Sequence, residues 1–360
     1  MIAVCSLGLA FVNVTLIAGL LVAVNCAFLI VTAERKPLTV IFLVGLVSFF
    51  FNPEGLMLVG ALLSLIVGCS ALARAYDKTK SLLLWGIPIA AFVIGAIVLG
   101  DLLLASLSLG FLLPAAALAL SFSKKQARVG AICMISGAFM IFFSVFVLAD
   151  IYVATGGISL SVFEEGAEYY RNAFAEVILQ IEVMDVETET MSPFFSPLEA
   201  QNLANQIVSL FPSFFVILCN AMAYFAQKVM YGLVHRDGEA DRIDDKMIAM
   251  ILSPFAGATF LISFFVMLFA STSTDFELAF TVAENIFYIF IPGLAMSGVM
   301  FQLAKVARFR RGILVVVIFV ILAIINVGAA LLMAACTGAY YSIAAPVYAF
   351  LNSKKDNDSF

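Results

Sequence analysis

An acidic residue lies inside one of the most apolar stretches of the chain. Glu284, followed by Asn285, comes seven residues after Glu277, where that stretch begins. In a helix this places the carboxylate roughly 10 Å along the segment, at about 1.5 Å per residue. An ionisable group at such depth in a membrane costs a few kcal/mol unless it is paired or hydrated, so a functional site is the default interpretation. The alternative is a structural role, with Glu284 protonated or hydrogen-bonded to a neighbouring helix.

An asparagine and a proline extend this candidate site. Asn220 also lies well inside an apolar run, where a hydrogen bond between helices is the usual role of such a side chain. We predict that Glu284, Asn285 and Asn220 bind the substrate, provided that the fold brings their helices together. Pro292-Gly293 follows on the same segment as Glu284. Because proline removes a backbone hydrogen bond, we predict a hinge at this pair.

Missing residue types argue against most enzymatic chemistry. The sequence has no GxxxxGK[ST] motif and therefore no P-loop of its own. Its single histidine, His235, rules out HExxH metal sites and histidine-based triads, and its six cysteines form no CxxC pair. We therefore expect no enzyme, no metal site and no cofactor. An intramembrane lipid-modifying enzyme is a third hypothesis. No basic patch with interleaved aromatic residues indicates nucleic-acid binding.

The composition identifies the medium in which these residues work. Of the 360 residues, 64% are hydrophobic and 12% charged, whereas a soluble domain is about 25% charged. A membrane-spanning helix needs about 20 apolar residues, and runs of suitable length recur along the chain. We predict spans near residues 8–32, 37–51, 55–73, 82–99, 102–122, 129–151, 205–232, 248–271, 277–303 and 312–336. The predicted fold is all-α, a polytopic transmembrane helical bundle of about 10 spans.

The basic residues fall on one side of this series of spans. Sixteen of the nineteen lysines and arginines lie in alternate gaps, and the gaps between them hold acids or no charge, apart from Arg171. Cytoplasmic loops retain lysine and arginine. We therefore expect a multi-pass protein of the plasma membrane, the inner membrane of a bacterium, with its basic loops in the cytoplasm. Lys354 and Lys355 do not fit this alternation, and we expect residues 337–360 to form an interfacial tail.

One long acidic segment separates two membrane regions. Residues 152–201 hold nine acids and one arginine. Apolar residues recur in this segment at spacings of three and four, which predicts an amphipathic helix; they are Phe163, Ala167, Tyr170, Phe174, Val177 and Ile181. We expect this stripe to pack on the protein's own outer surface, and an extracytoplasmic protein partner at 160–185 is the alternative. The predicted regions are 1–151, 152–201, 202–336 and 337–360.

Small residues form a stripe on the third predicted span. Gly60, Ser64 and Gly68 are spaced by four residues and so share one face of a helix. Such a stripe lets another helix approach closely. We predict helix packing inside the protein at these positions.

The order of the spans and of a few loop motifs resembles a known family. The motifs are Ala33-Glu-Arg-Lys-Pro37, Asn52-Pro-Glu-Gly55, Leu210-Phe-Pro-Ser213, Glu284-Asn285 and Ile291-Pro-Gly-Leu-Ala-Met-Ser-Gly298. They are similar to those of the YybS-like family of bacterial multi-span proteins of unknown function. That family is itself similar to the substrate-binding S components of energy-coupling-factor transporters, and this second likeness concerns residues 1–122. It implies separate ATPase and coupling subunits as partners, in addition to the lipid bilayer.

Two functions are consistent with these observations. The first is a substrate-binding or permease subunit for a small molecule, which would depend on separate ATPases or on an ion gradient because the chain has no nucleotide site. The second is a membrane scaffold or regulatory protein of the cell envelope, with no transported substrate. Its working surface would be the acidic segment at 160–185.

Overall fold

Helices make up most of the described structure. The computed structural model of the chain describes residues 55–99, 102–157, 159–184, 191–193, 195–250, 252–272, 276–308 and 326–357, with Ile321 and Ile324. In chain order the helices are α1 Gly55–Thr79, α2 Gly86–Leu99, α3 Leu102–Ser106, α4 Leu112–Ser123, α5 Arg128–Thr155, α6 Leu160–Leu179, α7 Pro197–Ser209, α8 Phe211–Arg236, α9 Asp245–Ile248, α10 Pro254–Ala270, α11 Glu277–Arg308 and α12 Val327–Asn357. The predicted spans at 8–32 and 37–51, and most of the first half of 312–336, lie outside the described residues.

The remaining regular structure is small. Two three-residue strands, β1 Glu182–Met184 and β2 Met191–Pro193, pair in antiparallel fashion with Val183 opposite Ser192. Short 3₁₀ turns lie at Leu82–Trp85, Leu107–Phe111 and Ala240–Arg242. The predicted all-α fold class is confirmed.

Several of the helices have the length and composition of membrane spans. Within the described residues four helical segments qualify: Arg128–Val153, Phe211–Arg236, Glu277–Leu303 and Val327–Pro346. Two shorter apolar helical segments are Ser108–Ser123 and Pro254–Ala270. A helical membrane bundle is therefore the architecture of this chain.

The chain divides into two compact units, and the division does not follow chain order. The first unit takes residues up to 158 together with 218–249, and the second takes 159–217 and 250–360. The boundary near residue 218 falls inside α8, so one helix contributes to both units. The sequence alone predicts consecutive regions, because it does not show that the segment after Ile217 packs with the earlier helices.

In the first unit, hydrogen bonds and buried apolar side chains join α8 to the N-terminal helices. Ser70 of α1 is fully buried, and its Oγ lies 2.9 Å from the carbonyl oxygen of Ala226 in α8 and 2.7 Å from that of Ile66 in its own helix. Large buried side chains fill the space around these helices; they are Leu72, Phe111, Leu118, Ile135, Phe139, Met222 and Met230.

In the second unit, glycines allow α11 and α12 to cross in close contact. A Cβ atom built at Gly298 would overlap the carbonyl oxygen of Ala334, and one built at Gly338 would overlap that of Leu294. Small residues at a helix crossing permit backbone contact of this kind. Phe260 of α10 packs on the same cluster and stacks on Phe287 at 4.7 Å between ring centroids.

The end of the chain differs from its prediction. Helix α12 runs without interruption from Val327 to Asn357, whereas the sequence predicts a span that ends at residue 336 and an interfacial tail after it. The small residues after that point belong to the helix crossing, since Gly338, Ala339 and Ser342 are buried. Packing against α10 and α11 thus extends the helix through a region that hydropathy alone assigns to the interface.

The predicted amphipathic helix is present as α6, but only part of its apolar stripe, such as Phe174, is packed. Ala175 and Ile178 pack against Ala200 and Ala204 of α7, while Val177 of the predicted stripe is 59% exposed. The small side chains of Ala200 and Ala204 let α7 approach α6 closely at Ala175 and Ile178. The apolar stripe as predicted therefore stays largely on the surface.

A capping box starts α7, and Ser196-Pro-Leu-Glu199 is its sequence signature. The hydroxyl of Ser196 accepts a hydrogen bond from the backbone N–H of Glu199, and the Glu199 carboxylate accepts one from the backbone N–H of Ser196. Pro197 occupies the first helical position, where its missing N–H is not needed.

Candidate functional site

Glu284 lies in the first half of α11, within the segment Glu277–Leu303 that has the character of a membrane span. Its side chain is half-buried. Among the described residues it forms no hydrogen bond and no ion pair. The carboxylate is therefore available to a group that the described part of the protein does not supply.

Hydrogen bonds occupy both the amide nitrogen and the amide oxygen of the neighbouring Asn285. Its Nδ2 donates to the carbonyl oxygens of Ser209, at 2.8 Å, and Thr281, at 2.9 Å. Its Oδ1 accepts from the backbone N–H of Ser213 at 3.1 Å. The Ser213 hydroxyl lies 2.6 Å from the same Oδ1 and 2.9 Å from the Asn285 carbonyl oxygen, and its single proton serves one of them at a time.

These contacts repair a break between two helices. Helix α7 ends at Ser209 and α8 begins at Phe211, because Pro212 has no N–H to continue the helical ladder. In an unbroken helix the carbonyl of Ser209 would accept from the N–H of Ser213. Here the amide of Asn285 stands between them, donating to the one and accepting from the other. The side chain thus replaces one missing backbone hydrogen bond and fixes α11 against the break.

The predicted hinge lies further along the same helix. Helix α11 continues through Pro292, which is exposed. Gly293 is half-buried, and a Cβ atom there would lie 3.6 Å from the side chain of Leu252, an ordinary contact distance. Flexing at this pair stays a prediction.

The other predicted residues are not brought into one described site. Asn220 is half-buried in the part of α8 that belongs to the first unit, whereas Glu284 and Asn285 belong to the second. Gly68 is buried in α1, as a packing position requires. Gly60 and Ser64 are on the same helix, but their surroundings lie outside the described residues.

An apolar groove runs beside the second unit's helices. It has a volume of 450 Å³ between α10 and α11, and its lining includes Ile262, Val266, Leu278, Val282 and Ile286. Glu284 is not part of that lining. An apolar surface of this kind suits hydrocarbon rather than a polar substrate.

A second polar cluster, in the first unit, was not predicted from the sequence. Arg74 of α1 is fully buried and forms ion pairs with three carboxylates: Asp77 at 3.0 Å, Asp237 at 2.5 Å and Glu239 at 3.2 Å. Arg242 binds Asp77 in bidentate fashion, with its two Nη atoms 2.8 and 2.9 Å from the two carboxylate oxygens. We call this set, with Lys78 and Lys80 at its margin, the Arg74 network.

A turn after α8 supplies two of the acids. Gly238 has φ of 76°, the left-handed conformation that ends many helices. The N–H of Glu239 then donates to the carbonyl of Val234, and that of Asp237 to the carbonyl of Leu233. The sequence alone favours a solvated loop here. One signal of this network in the sequence is Arg74, which lies beside the apolar run Leu72-Ala73. It pairs with Asp77 at i,i+3 spacing.

Charges of the network change the acid strength of its carboxylates. Burial raises the pKa of Asp77, but hydrogen bonds and positive charge from Arg242 and Lys80 outweigh it and bring the pKa below its usual value. Burial also raises the pKa of Asp237, but hydrogen bonds and positive charge from Lys78 and Arg74 outweigh this effect and bring the pKa below its usual value. Hydrogen bonds to Asp77 and Glu239 raise the pKa of Arg242. The network therefore favours the ionised forms of Asp77 and Asp237 and the charged form of Arg242.

Side chains able to hold a metal are not grouped in the described part of the chain. No cluster of three or more histidine, cysteine, aspartate or glutamate residues suited to a metal ion occurs there. Cys69, Cys133, Cys219 and Cys336 carry free thiols.

The fold and these two polar clusters define an α-helical membrane protein. The chain belongs to the family described as "Predicted membrane protein (DUF2232)", whose sequence profile matches residues 76–336. That match agrees with the predicted membership of an uncharacterised membrane protein family; the likeness to S components stays a prediction. Neither a curated protein nor a solved structure shows significant similarity to the chain.

Proposed function

We propose that the protein is a multi-pass plasma-membrane protein that binds or transports a small molecule, with Glu284 as the group that contacts it. The observation that carries this proposal is a half-buried carboxylate without a described partner inside a membrane-spanning segment. A carboxylate in that environment gains most from a cationic or hydrogen-bond-donating group. The substrate would therefore present an amine or hydroxyls to α11.

Asn285 has a positioning role in this proposal. Its amide is occupied by Ser209, Ser213 and Thr281, which leaves it little capacity for a ligand. The Asn285 amide fixes α11 against the break between α7 and α8. It thereby fixes the rotation of α11 about its own axis, and with it the position of the adjacent Glu284. Asn220 stays a candidate contact, and Pro292-Gly293 a candidate hinge for release.

The energy for transport would come from outside the chain. The sequence carries no P-loop, so uphill transport would need separate ATPase and coupling subunits or an ion gradient. Purification from the native membrane in mild detergent, followed by mass spectrometry of co-eluting proteins, distinguishes these sources. Stoichiometric ATPases support the first, and their absence together with gradient-driven uptake supports the second.

The direct test compares two carboxylate variants in a ligand screen. We would measure thermal unfolding of the purified full-length protein against a panel of small amines, amino acids and vitamins. Compounds that stabilise the parent protein should fail to stabilise Glu284→Gln but should still stabilise Glu165→Gln, a control at an exposed position of α6. Equal stabilisation of both variants would remove Glu284 from the binding site.

A second candidate function is favoured by the exposed stripe of α6. Tyr170 is 50% exposed and Val177 59% exposed, which suits a scaffold that holds a partner outside the membrane. Replacing Val177 and Ile181 by serine should then release a co-purifying envelope protein without loss of folding. If the partner complement is unchanged, the scaffold function has no support from this surface.

A further inference from the structure

An arginine at the start of α5 is buried without a carboxylate partner among the described residues. Arg128 is 5% exposed. One Nη1 hydrogen bond, at 2.6 Å, goes to the carbonyl oxygen of Ile248, and the guanidinium lies 4.7 Å from the ring centroid of Tyr224. Its Nε–H is buried and has no hydrogen-bond partner in the part of the protein that the structure describes.

None of the ion pairs within the described part of the chain includes Arg128. Two acids lie at the start of α9: Asp244 is bound by Lys125 at 3.0 Å and lies 4.0 Å from Lys246, and Asp245 is exposed. A buried charge is costly unless it is paired and hydrogen-bonded. One carbonyl and one aromatic face offset part of that cost, and no described residue supplies a counter-ion for the positive charge.

The position of Arg128 in its helix increases the local positive potential. It is the first residue of α5, and the N-cap, Ala127, provides no side-chain hydrogen bond. Helix N-termini carry a partial positive charge and unpaired N–H groups, so an arginine there is unfavourable unless an anion is present. At Gly130, in the same first turn, an added Cβ would meet nothing within 4 Å. This side of the first turn is therefore open and exposed.

We propose that Arg128 and the first turn of α5 bind a phosphate group. Arg128 is also the first residue of the membrane-spanning segment Arg128–Val153, and lipid phosphates lie at that boundary of a bilayer. Gln126, two residues earlier, has a buried Oε1 without a partner, which can accept from a hydroxyl beside the phosphate. The phosphate belongs to an anionic phospholipid or to a free phosphate, and both place the same chemistry on Arg128.

The experiment measures stabilisation of the full-length protein by two phosphate sources. Protein delipidated in detergent is heated with inorganic phosphate, with sodium chloride at the same ionic strength, and with phosphatidylglycerol or phosphatidylcholine in mixed micelles. We expect phosphatidylglycerol or phosphate to raise the unfolding temperature of the parent protein. Arg128→Gln should bind at least about tenfold more weakly, as expected when a charge-assisted hydrogen bond is lost. Arg236→Gln, which removes an exposed arginine, should respond like the parent.

Each outcome decides between the sources or overturns the site. A gain from phosphatidylglycerol alone assigns the phosphate to a lipid headgroup, and an equal gain from inorganic phosphate assigns it to a free anion. No gain from either source, or an equal gain in Arg128→Gln, overturns the proposal. Without any phosphate source, Arg128→Gln should be at least as stable as the parent, because it removes an unpaired buried charge. Should that variant fail to fold, Arg128→Lys keeps the charge and should show a smaller gain; a full gain overturns the site.

Discussion

A fully buried arginine is unusual unless its charge is matched, and Arg74 is matched by three acids. Asp77 comes from the same helix, whereas Asp237 and Glu239 come from the turn after α8. The network therefore joins parts of the chain about 160 residues apart, as the separation of 163 positions between Arg74 and Asp237 shows. Its role in the first unit is to hold that turn on the end of α1.

Removing this arginine should destabilise the protein strongly. Arg74→Ala leaves Asp77, Asp237 and Glu239 without their common partner, and loss of one member of a buried pair costs about 3–5 kcal/mol. Lys246→Ala is the matched control, since Lys246 is 59% exposed and 4.0 Å from Asp244, and surface pairs contribute about 1 kcal/mol or less. Thermal unfolding in detergent measures both. Similar unfolding temperatures for the two variants would contradict the structural role of the network.

The lowered pKa values predict loss of stability in acid. A carboxylate whose folded-state pKa is depressed adds stability above its unfolded pKa, about 3.9 for aspartate, and that stability disappears as pH falls through the folded pKa. The pKa values of Asp77 and Asp237 are both lowered. We therefore expect stability to fall below about pH 4 from this source. Asp77→Asn should show a smaller drop between neutral and acid pH than the parent protein; an unchanged drop would assign the acid sensitivity elsewhere.

At the level of single residues, only part of the candidate site could be predicted from the sequence. Glu284 and Asn285 could be identified because polar residues are rare in apolar runs. Their different roles could not be assigned, because the role of Asn285 depends on Ser209 and Ser213, more than 70 positions earlier. A single sequence does not indicate which helix break a given amide repairs.

Asn285 offers a test that separates positioning from binding. Asn285→Ala leaves a carbonyl and an N–H at the break without partners, at a cost of about 1–3 kcal/mol. We expect a lower unfolding temperature and a weaker ligand response, with the ligand response partly restored in Asn285→Gln. If Asn285→Ala unfolds like the parent protein, the amide does not stabilise the break.

At the level of helices, contact between α11 and α12 depends on two glycines. Gly298 and Gly338 face each other's helix so closely that a methyl group would overlap a carbonyl oxygen. Gly338→Ala should therefore lower stability by about 1–3 kcal/mol, the range for overpacked cores. Gly137→Ala in α5 is the control, because an added Cβ there meets nothing within 4 Å, and alanine favours helix by up to about 1 kcal/mol. Thermal unfolding of the two variants should shift in opposite directions; a shared direction would contradict the tight crossing.

The presence of a helix was easier to predict than the face that it buries or the residue at which it ends. The cap at Ser196 and the amphipathic period of α6 are local signals, and both are confirmed in the structure. The predicted face of α6 was only partly right, because packing against the alanines of α7 buries Ala175 and Ile178 as well as Phe174. The predicted end of α12 was wrong, because packing after residue 336 extends the helix. Both failures concern contacts with another helix, which periodicity in one segment does not contain.

At the scale of the whole molecule, the charge pattern predicts which side each loop occupies. Asp241 lies among the basic gaps and Glu165 on the acidic segment, and both side chains are exposed. In a cysteine-free background, a membrane-impermeant maleimide should label Glu165→Cys in intact cells and Asp241→Cys only after permeabilisation. Labelling of both positions in intact cells would contradict the proposed orientation.

The same labelling locates the end of α12. Because lysine favours the cytoplasmic side, the pair Lys354 and Lys355 predicts that Asn357→Cys behaves like Asp241→Cys. If it labels in intact cells instead, these two lysines are an exception to the charge pattern.

The uninterrupted α12 also has a mechanical consequence. After Pro346, where its membrane-spanning segment ends, the helix continues to Asn357. These eleven residues span about 16 Å at the helical rise. Anything attached to the C-terminus would be carried on a stiff spacer, at a set distance from the bilayer. A tilt of α12 against α11 would then be magnified at its tip, so a fluorophore there would act as a lever-arm reporter of motion within the membrane.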